Sequence, residues 1–145
     1  MTGQLGDGAM KKIVSPMIVA LVVGLCAPVF AQLAKDAAIA KAEAILKNFQ
    51  DGKTAEIVKE FDARMTQELP EAKLKPVWPG LVSQFGAFKS INERREGQMQ
   101  GRQAVELILS FEKDTIVQRA VFDSDGKVAG LVFRPTALAV LPANK

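Results

Sequence analysis

Residues 104–133 read AVELILSFEKDTIVQRAVFDSDGKVAGLVF, and apolar and polar side chains alternate along most of this stretch. Alternation with a period of two is typical of β-strands that bury one face. It predicts strands over residues 104–111, 116–122 and 127–133, separated by two short turns. The second turn, Asp-Ser-Asp-Gly at 123–126, is typical of a β-hairpin. The stretch therefore predicts an antiparallel meander.

A weaker strand and a set of helices precede this meander. Residues 88–99 are polar and rich in Arg and Glu, which suits an edge strand. Upstream, apolar residues recur at intervals of three and four, which predicts amphipathic helices over residues 33–49 and 53–65. Pro70 begins a third segment, a short turn followed by a helix that ends at Gly86. The predicted fold class is α+β, with N-terminal helices packed on one face of a curved C-terminal antiparallel sheet.

The composition limits the chemistry that the chain can perform. Its 145 residues are 48% apolar and 24% charged, which suits one buried core, and the net charge is +3. The chain has no histidine, no tyrosine and one cysteine, which excludes Ser-His-Asp and Cys-His pairs and histidine metal sites. We predict no cofactor, no metal site and no nucleic-acid partner, because the basic residues are too sparse to follow a phosphate backbone.

The N-terminus predicts export. Lys11 and Lys12 precede an uncharged run, Ile13–Ala31, which ends in Val-Phe-Ala. A positive region, an apolar stretch and small residues before the cleavage point are typical of a secretory signal peptide. We therefore predict a signal peptide over residues 1–31 and a secreted or periplasmic protein. Met10 stands directly before the lysines, so we interpret residues 1–9 as a start-site extension.

Two alternatives to cleavage after Ala31 stay open. The uncharged run is just long enough to cross a bilayer as a retained anchor. Cys26 could carry a lipid, although Leu25 stands where a lipoprotein signal has a small residue. After cleavage the chain would contact no membrane, residues 32–135 would form the domain, and residues 136–145 would form an apolar tail without a predicted structure.

Several short motifs in the domain resemble one bacterial family. In chain order they are Phe61-Asp62-Ala63-Arg64-Met65, Leu69-Pro70, Leu74, Trp78, Phe85-Gly86-Ala87-Phe88 and the ending from Val121 to Pro135. Their order, over residues 37–135, resembles the DUF3887 domain family, whose function is unknown. The resemblance implies a cystatin-like fold of the nuclear-transport-factor-2-like superfamily, with a cone-shaped cavity between helices and sheet and a homodimer formed through the sheet. It supplies no established catalytic residues.

Asp62 is the first candidate site residue. In enzymes of the superfamily the cavity holds an acid or a base, and a carboxylate there can act as a general base. The alternative interpretation is that Asp62 caps a helix or bridges locally while Arg64 faces water. Isomerases and dehydratases of the superfamily depend on tyrosine or histidine partners, which this chain lacks.

Trp78 and Arg119 are the other candidates. Trp78 either lines the mouth of the cavity, where an aromatic ring can anchor an apolar ligand, or belongs to the core. Glu106 and Arg119 lie on neighbouring predicted strands and could pair across the outer face of the sheet, for about 0.2–1 kcal/mol if exposed. The alternative is that these two residues and Gln118 line a pocket.

The acidic turn at residues 123–126 superficially resembles the start of a calcium loop. A calcium loop needs further oxygen ligands and a glutamate near its twelfth position, and this segment continues into the apolar residues 128–133. We interpret it as a hairpin turn, in which Gly126 supplies a positive φ and the aspartates bond the local backbone.

Two functional hypotheses follow. The first is an exported, non-catalytic module that uses the cavity or the outer sheet face to bind a small molecule, a peptide, an envelope protein or a second subunit. The second is a small enzyme of the isomerase or hydrolase type, with Asp62 as its general base. The directions of Asp62, Trp78 and Arg119 discriminate between them, because convergence on one concavity would favour a pocket or an active site.

Overall fold

A computed structural model describes residues 33–139 and 141–142. The predicted signal peptide, the proposed start at Met10 and the possible lipid attachment at Cys26 lie outside the described residues. Among the helices that the structure describes, none combines the length and the hydropathy of a membrane span.

Helices come first in the described chain and strands follow, which confirms the predicted α+β class. The helices are α1 (Lys35–Gln50), α2 (Thr54–Lys59), α3 (Ala63–Glu68), α4 (Glu71–Leu74) and α5 (Val77–Phe85), and the strands are β1 (Phe88–Met99), β2 (Arg102–Phe111), β3 (Thr115–Phe122) and β4 (Val128–Pro135). The four strands pair antiparallel in the order β1-β2-β3-β4.

Helix α1 packs its apolar stripe against one face of the sheet, which we call the inner face. The buried residues of α1 recur at the helical period: Ala38, Ala42, Ile45, Leu46 and Phe49. The same core includes the side chains at alternate positions of β2, namely Val105, Leu107, Leu109 and Phe111. Because the strand period is two, the intervening residues of β2 lie on the outer face.

The prediction of one continuous helix over residues 53–65 is wrong, because the structure has two shorter helices there. Helix α2 ends at Lys59, and Phe61 forms a parallel bridge to Val128 at the start of β4. The Val128 N–H donates to Glu60 O at 2.7 Å, and the Asp62 N–H donates to Val128 O at 3.0 Å. These bonds satisfy the exposed edge of β4, so backbone pairing overrides the helical periodicity of the sequence.

Helix α5 ends at Gly86, as predicted. Gly86 has φ of 84° and ψ of −166°, a combination that only glycine adopts readily. The site is also crowded, because a Cβ on Gly86 would lie 2.8 Å from the Cβ of Glu112. The Glu112 carboxylate meanwhile accepts the Ala87 N–H at 3.0 Å. The turn from α5 into β1 therefore requires glycine for two independent reasons.

The C-terminal tail adds no strand to the sheet but packs against its outer face. The described residues of the tail, 136–139 and 141–142, which we call the strap, begin with a 3₁₀ turn at Thr136–Leu138. The strap then lies across the outer face, where Leu141 is 4% exposed. A Cβ on Gly97 of β1 would lie 3.2 Å from Leu141 Cδ2, so this glycine makes room for the leucine. The sheet is covered on both faces, by helices inside and by the strap outside.

We expect Gly86→Ala to lower the free energy of unfolding more than Gly52→Ala does. Gly52 also has a positive φ, of 72°, but a Cβ there would meet no atom within 4 Å. The control should therefore cost about 1–2 kcal/mol for its backbone conformation alone. Gly86→Ala should cost about 1–3 kcal/mol more, because the new Cβ overlaps Glu112. Urea denaturation measures both, and equal losses would show that Glu112 moves aside freely.

Candidate functional site

Asp62 lies at the N-terminus of α3 and caps this helix. Its side chain is half-buried, and Oδ1 accepts the Met65 N–H at 2.7 Å. This is the N-cap geometry that aspartate favours, since it satisfies a free N–H of the first turn. Arg64 beside it donates to Ala129 O at 3.3 Å and keeps most of its side chain in solvent. The carboxylate of Asp62 is thus engaged by its own helix.

Arg119 lies on the outer face, directly opposite Glu106 in the β2–β3 register. The Nε and Nη2 groups of Arg119 both approach Glu106 Oε1, at 2.8 and 2.6 Å. This is the predicted cross-strand pair, but the stabilisation of about 0.2–1 kcal/mol expected for an exposed pair does not apply to it. Glu106 is 0% and Arg119 4% exposed, because the strap lies over them. Desolvation makes such a pair costly to break from one side.

Gln118 points the other way, into the core. The Nε2 group donates to Ala42 O of α1 at 2.9 Å, while Oε1 has no hydrogen-bond partner among the described residues. Its register partner on β2 is Leu107, a residue of the helix-facing core. Gln118 and Arg119 therefore serve different faces of the sheet and do not line a common pocket.

Trp78 joins an aromatic cluster at the end of the inner face. Its ring centroid lies 5.8 Å from that of Phe88 and 5.6 Å from that of Phe111. Phe85 packs on Phe111 as well, at 6.1 Å. Trp78 is only partly buried, because its ring packs on the edge of the core and also lines a groove.

The three candidate residues do not converge. Asp62 lies beside the start of β4, Trp78 lies on α5 over the inner face, and Arg119 lies under the strap on the outer face. Neither Asp62 nor Arg119 lines the groove that contains Trp78. A single concavity built from all three residues is therefore absent from the described part of the chain.

Helix α5 forms the wall of two grooves that the sequence pattern did not indicate. The Trp78 groove has a volume of about 200 Å³ and is lined by Phe49, Gln50, Gly52, Thr54, Leu74, Lys75, Trp78 and Pro79. The Phe133 groove has a volume of about 250 Å³ and is lined by Leu81, Gln84, Phe85, Ile116, Phe133, Arg134 and Pro135. We call the two grooves together the α5 cleft.

Helix α5 is mostly apolar, yet its side chains are only partly covered. The helix reads VWPGLVSQF, yet none of its residues is buried. Five apolar side chains are only partly covered: Val77, Trp78, Leu81, Val82 and Phe85. Pro79 lies in the first turn, where its missing N–H costs no helical hydrogen bond, and Gly80 follows it with a low helix propensity. The apolar residues around this proline and glycine were the available sequence signal for a partly exposed apolar surface.

Two further grooves lie elsewhere on the molecule. One, of about 320 Å³, runs between α1 and β1, with Phe88 and Ile91 on its floor and an ion pair of Glu43 with Arg94 at its rim. The other, of about 430 Å³, lies at the β1–β2 turn between Arg64 and Arg102. Both have charged residues at their rims, and neither includes Asp62, Trp78 or Arg119.

The acidic turn is a hairpin turn, as predicted. Asp123 Oδ1 accepts the N–H groups of Asp125 and Lys127, each at 2.9 Å. Gly126 has a φ of 77°. The described residues contain no cluster of three or more side chains suited to a metal ion.

Glu93 and Arg95 form a pair on the outer face beside the strap. Arg95 Nη2 donates to Glu93 Oε2 at 2.9 Å, and this hydrogen bond lowers the pKa of Glu93 below its usual value. The same bond raises the pKa of Arg95. The two residues are two positions apart on β1, which places both side chains on one face.

The described part of the chain is an α+β domain with one layer of helices on a four-stranded antiparallel sheet. Residues 42–131 match the model of the family described as "Protein of unknown function (DUF3887)". The match covers more than half of the chain, so the protein belongs to the DUF3887 family. No curated protein and no solved structure shows a significant match. The wider superfamily that the sequence suggested stays a prediction.

The Glu93–Arg95 pair predicts a pH dependence. A carboxyl with a lowered folded-state pKa contributes stability above its unfolded value, and this contribution is lost as the pH falls through the folded value. We therefore expect the free energy of unfolding to fall less steeply below pH 4.5, the ordinary pKa of Glu93, in Glu93→Gln than in the wild type. Urea denaturation across acidic pH tests this. Glu56→Gln, at an exposed pair with Lys59, is the control. Parallel curves for wild type and Glu93→Gln would contradict the prediction.

Proposed function

We propose that this protein is an exported, non-catalytic binding module. Its ligand is an amphipathic molecule with one hydrocarbon chain and an anionic head group, which binds in the α5 cleft. The observation that carries the proposal is the half-exposed apolar surface of α5. A helix of this composition ordinarily buries its apolar stripe. Here that surface borders two grooves, so an apolar chain can bury it without unfolding anything.

The walls of the cleft favour an apolar chain. Trp78 supplies an aromatic face on one side of α5, and Phe85 and Phe133 supply two more on the other side. Burial of apolar surface is favourable by about 25 cal/mol per Å². Ligand sites of this kind combine mostly apolar walls with a few polar groups that set orientation.

The rim of the cleft favours a negative head group. Arg134 is exposed at the end of the Phe133 groove, and Lys75 lies at the rim of the Trp78 groove. Lys75 Nζ lies 3.7 Å from Glu71 Oε1, so the positive charge of Lys75 is partly balanced. Arg134 is therefore the residue proposed to meet a carboxylate or phosphate head, because a guanidinium can bond two such oxygens together.

Catalysis is left out of the proposal for two reasons. The Asp62 carboxylate accepts the Met65 N–H as a helix cap, and the chain contains no histidine or tyrosine to act with it. Export rests on the leader sequence, in which a positive region, an apolar run and small residues follow one another. The alternative of a small enzyme with Asp62 as general base has no specific observation in its favour.

A fluorescence titration tests the cleft. Trp78 is the one tryptophan of the chain and lies on α5, the helix that borders both grooves, so its emission reports on binding in the α5 cleft. We expect dodecanoate to shift this emission to shorter wavelength and to bind Leu81→Asp at least about tenfold more weakly than wild type, because the new charge enters an apolar wall. Ser83→Asp, on the exposed side of the same helix, is the matched control. Unchanged emission in the wild type, or equal affinities for both variants, would refute the proposal.

A second titration tests the head group. Arg134→Gln should weaken dodecanoate binding by about fivefold, the equivalent of about 1 kcal/mol for a solvent-exposed ion pair. Dodecanol has the same chain and no charge, so its affinity should not change. A similar loss for both ligands would mean that Arg134 acts through packing of its stem and not through its charge.

A further inference from the structure

The groove at the β1–β2 turn, which we call the turn groove, lies on the outer face of the sheet. Its walls come from α3, from the turn itself and from the ends of all four strands. Its volume of about 430 Å³ falls within the roughly 300–1,000 Å³ of small-molecule sites. Arg102 precedes Glu106 by four positions on β2, so both side chains lie on the outer face. The strap covers Glu106, but no residue of the strap lines the turn groove.

The charged side chains that line the turn groove are both arginines. Arg64 comes from α3 and Arg102 from the start of β2, and no carboxylate of the described residues lines the groove. Arg102 is exposed, and its guanidinium forms no ion pair within the part of the chain that the structure describes. Two positive charges in one concave surface attract anions.

Arg64 is held at the edge of the turn groove by a backbone contact. Its Nη2 group donates to Ala129 O at 3.3 Å, which ties α3 to β4. A guanidinium carries five N–H donors, so this bond leaves others for an anion. Arg64 Nε lies 3.8 Å from Glu68 Oε1, but both side chains are mostly exposed, so solvent screens this pair and the positive charge of Arg64 stays available.

The β1–β2 turn carries a residue that its backbone geometry disfavours. Gln100 has a φ of 53° and Gly101 a φ of 77°, and positive φ at both central residues is typical of a type I′ turn. Asn-Gly is the favoured sequence for this turn, whereas glutamine is strained in the left-handed conformation. Gln100 also lines the turn groove, and its amide reaches one methylene further than that of asparagine would. The strained position therefore provides an N–H donor to the groove.

The remaining lining residues are apolar or lack a side chain. Met99, Val121, Ala129 and Gly130 supply this part of the surface. Apolar walls with a few polar groups accommodate an organic group and orient its charged end. Two arginines without a carboxylate match a ligand with two negative charges. A phosphate monoester carries about −1.5 to −2 charge near neutral pH and has three strong acceptor oxygens.

We propose that the turn groove binds a phosphate monoester. Arg64 and Arg102 donate to the phosphate oxygens, Gln100 donates to a further oxygen, and the organic group lies over Met99 and Val121. Arginine suits this role because its planar guanidinium can bond two phosphate oxygens at once. The turn groove is separate from the α5 cleft, so this inference holds whether or not the cleft binds a ligand.

Isothermal titration calorimetry of the full chain with phenyl phosphate tests the site, at about pH 8, where the ester is a dianion. We expect Arg64→Gln and Arg102→Gln each to weaken binding at least about tenfold, because each removes charge-assisted hydrogen bonds. Arg134→Gln removes the same charge at the Phe133 groove and is the matched control, with unchanged affinity. Absence of binding to the wild type, equal losses in all three variants, or a loss in only one of the first two would overturn the proposal.

Two further ligands test the class of anion. Benzoate has the same ring as phenyl phosphate with one negative charge, and inorganic phosphate has the charge without the ring. Each should bind at least about tenfold more weakly than phenyl phosphate, because each lacks one part of the match. Benzoate binding as tightly as phenyl phosphate would refute the preference for a dianion. Equally tight binding of inorganic phosphate would refute the assignment of an ester.

Gln100→Asn separates the role of this residue in binding from its role in the turn. Asparagine suits the left-handed position better, so the midpoint of urea denaturation should rise. The affinity for phenyl phosphate should fall about threefold, because the shorter amide no longer reaches the phosphate. A rise in the midpoint with unchanged affinity would show that Gln100 serves the turn alone, and would contradict its proposed contact with the ligand.

Discussion

The buried ion pair of Glu106 with Arg119 is the interaction on which the outer half of the structure depends. Both residues lie in the two central strands, where β2 and β3 are buried on both faces. An ion pair in such a position is stable only when its remaining hydrogen bonds are supplied, and the strap supplies them through Leu138 O and Leu141 N–H. The burial of the pair on the outer face therefore depends on the strap that covers it.

The inner face of the sheet is covered by apolar packing and not by ion pairs. Helix α1 covers the centre of the sheet with small and large apolar side chains, and the core there is continuous. At the end of the sheet α5 covers the surface only in part, and the aromatic side chains around Phe111 are shared between core and groove. The two faces of the sheet are thus covered by different forces, apolar burial on the inner face and charge-assisted hydrogen bonds to the main chain of the strap on the outer face.

Local patterns predicted the elements well where neighbours along the chain set the outcome. The alternation in β2 placed Val105, Leu107 and Leu109 on the core face, and Gly86 marked the end of α5. Prediction failed at Phe61, where a backbone bridge to Val128 divides the expected helix, because that partner lies far away in sequence. The cross-strand partner of Arg119 was predicted from strand order, but its burial was not, since the covering segment carries no strand or helix pattern.

The sequence by itself determined the α+β class, the membership in the DUF3887 family and the absence of histidine and tyrosine chemistry, because these depend on composition, periodicity and motif order. The tertiary structure alone decided that Asp62, Trp78 and Arg119 serve three separate places, that α5 leaves an apolar cleft open and that the strap seals a charged face. Those properties arise from contacts between residues distant in sequence, because the burial of a side chain depends on which segment packs over it.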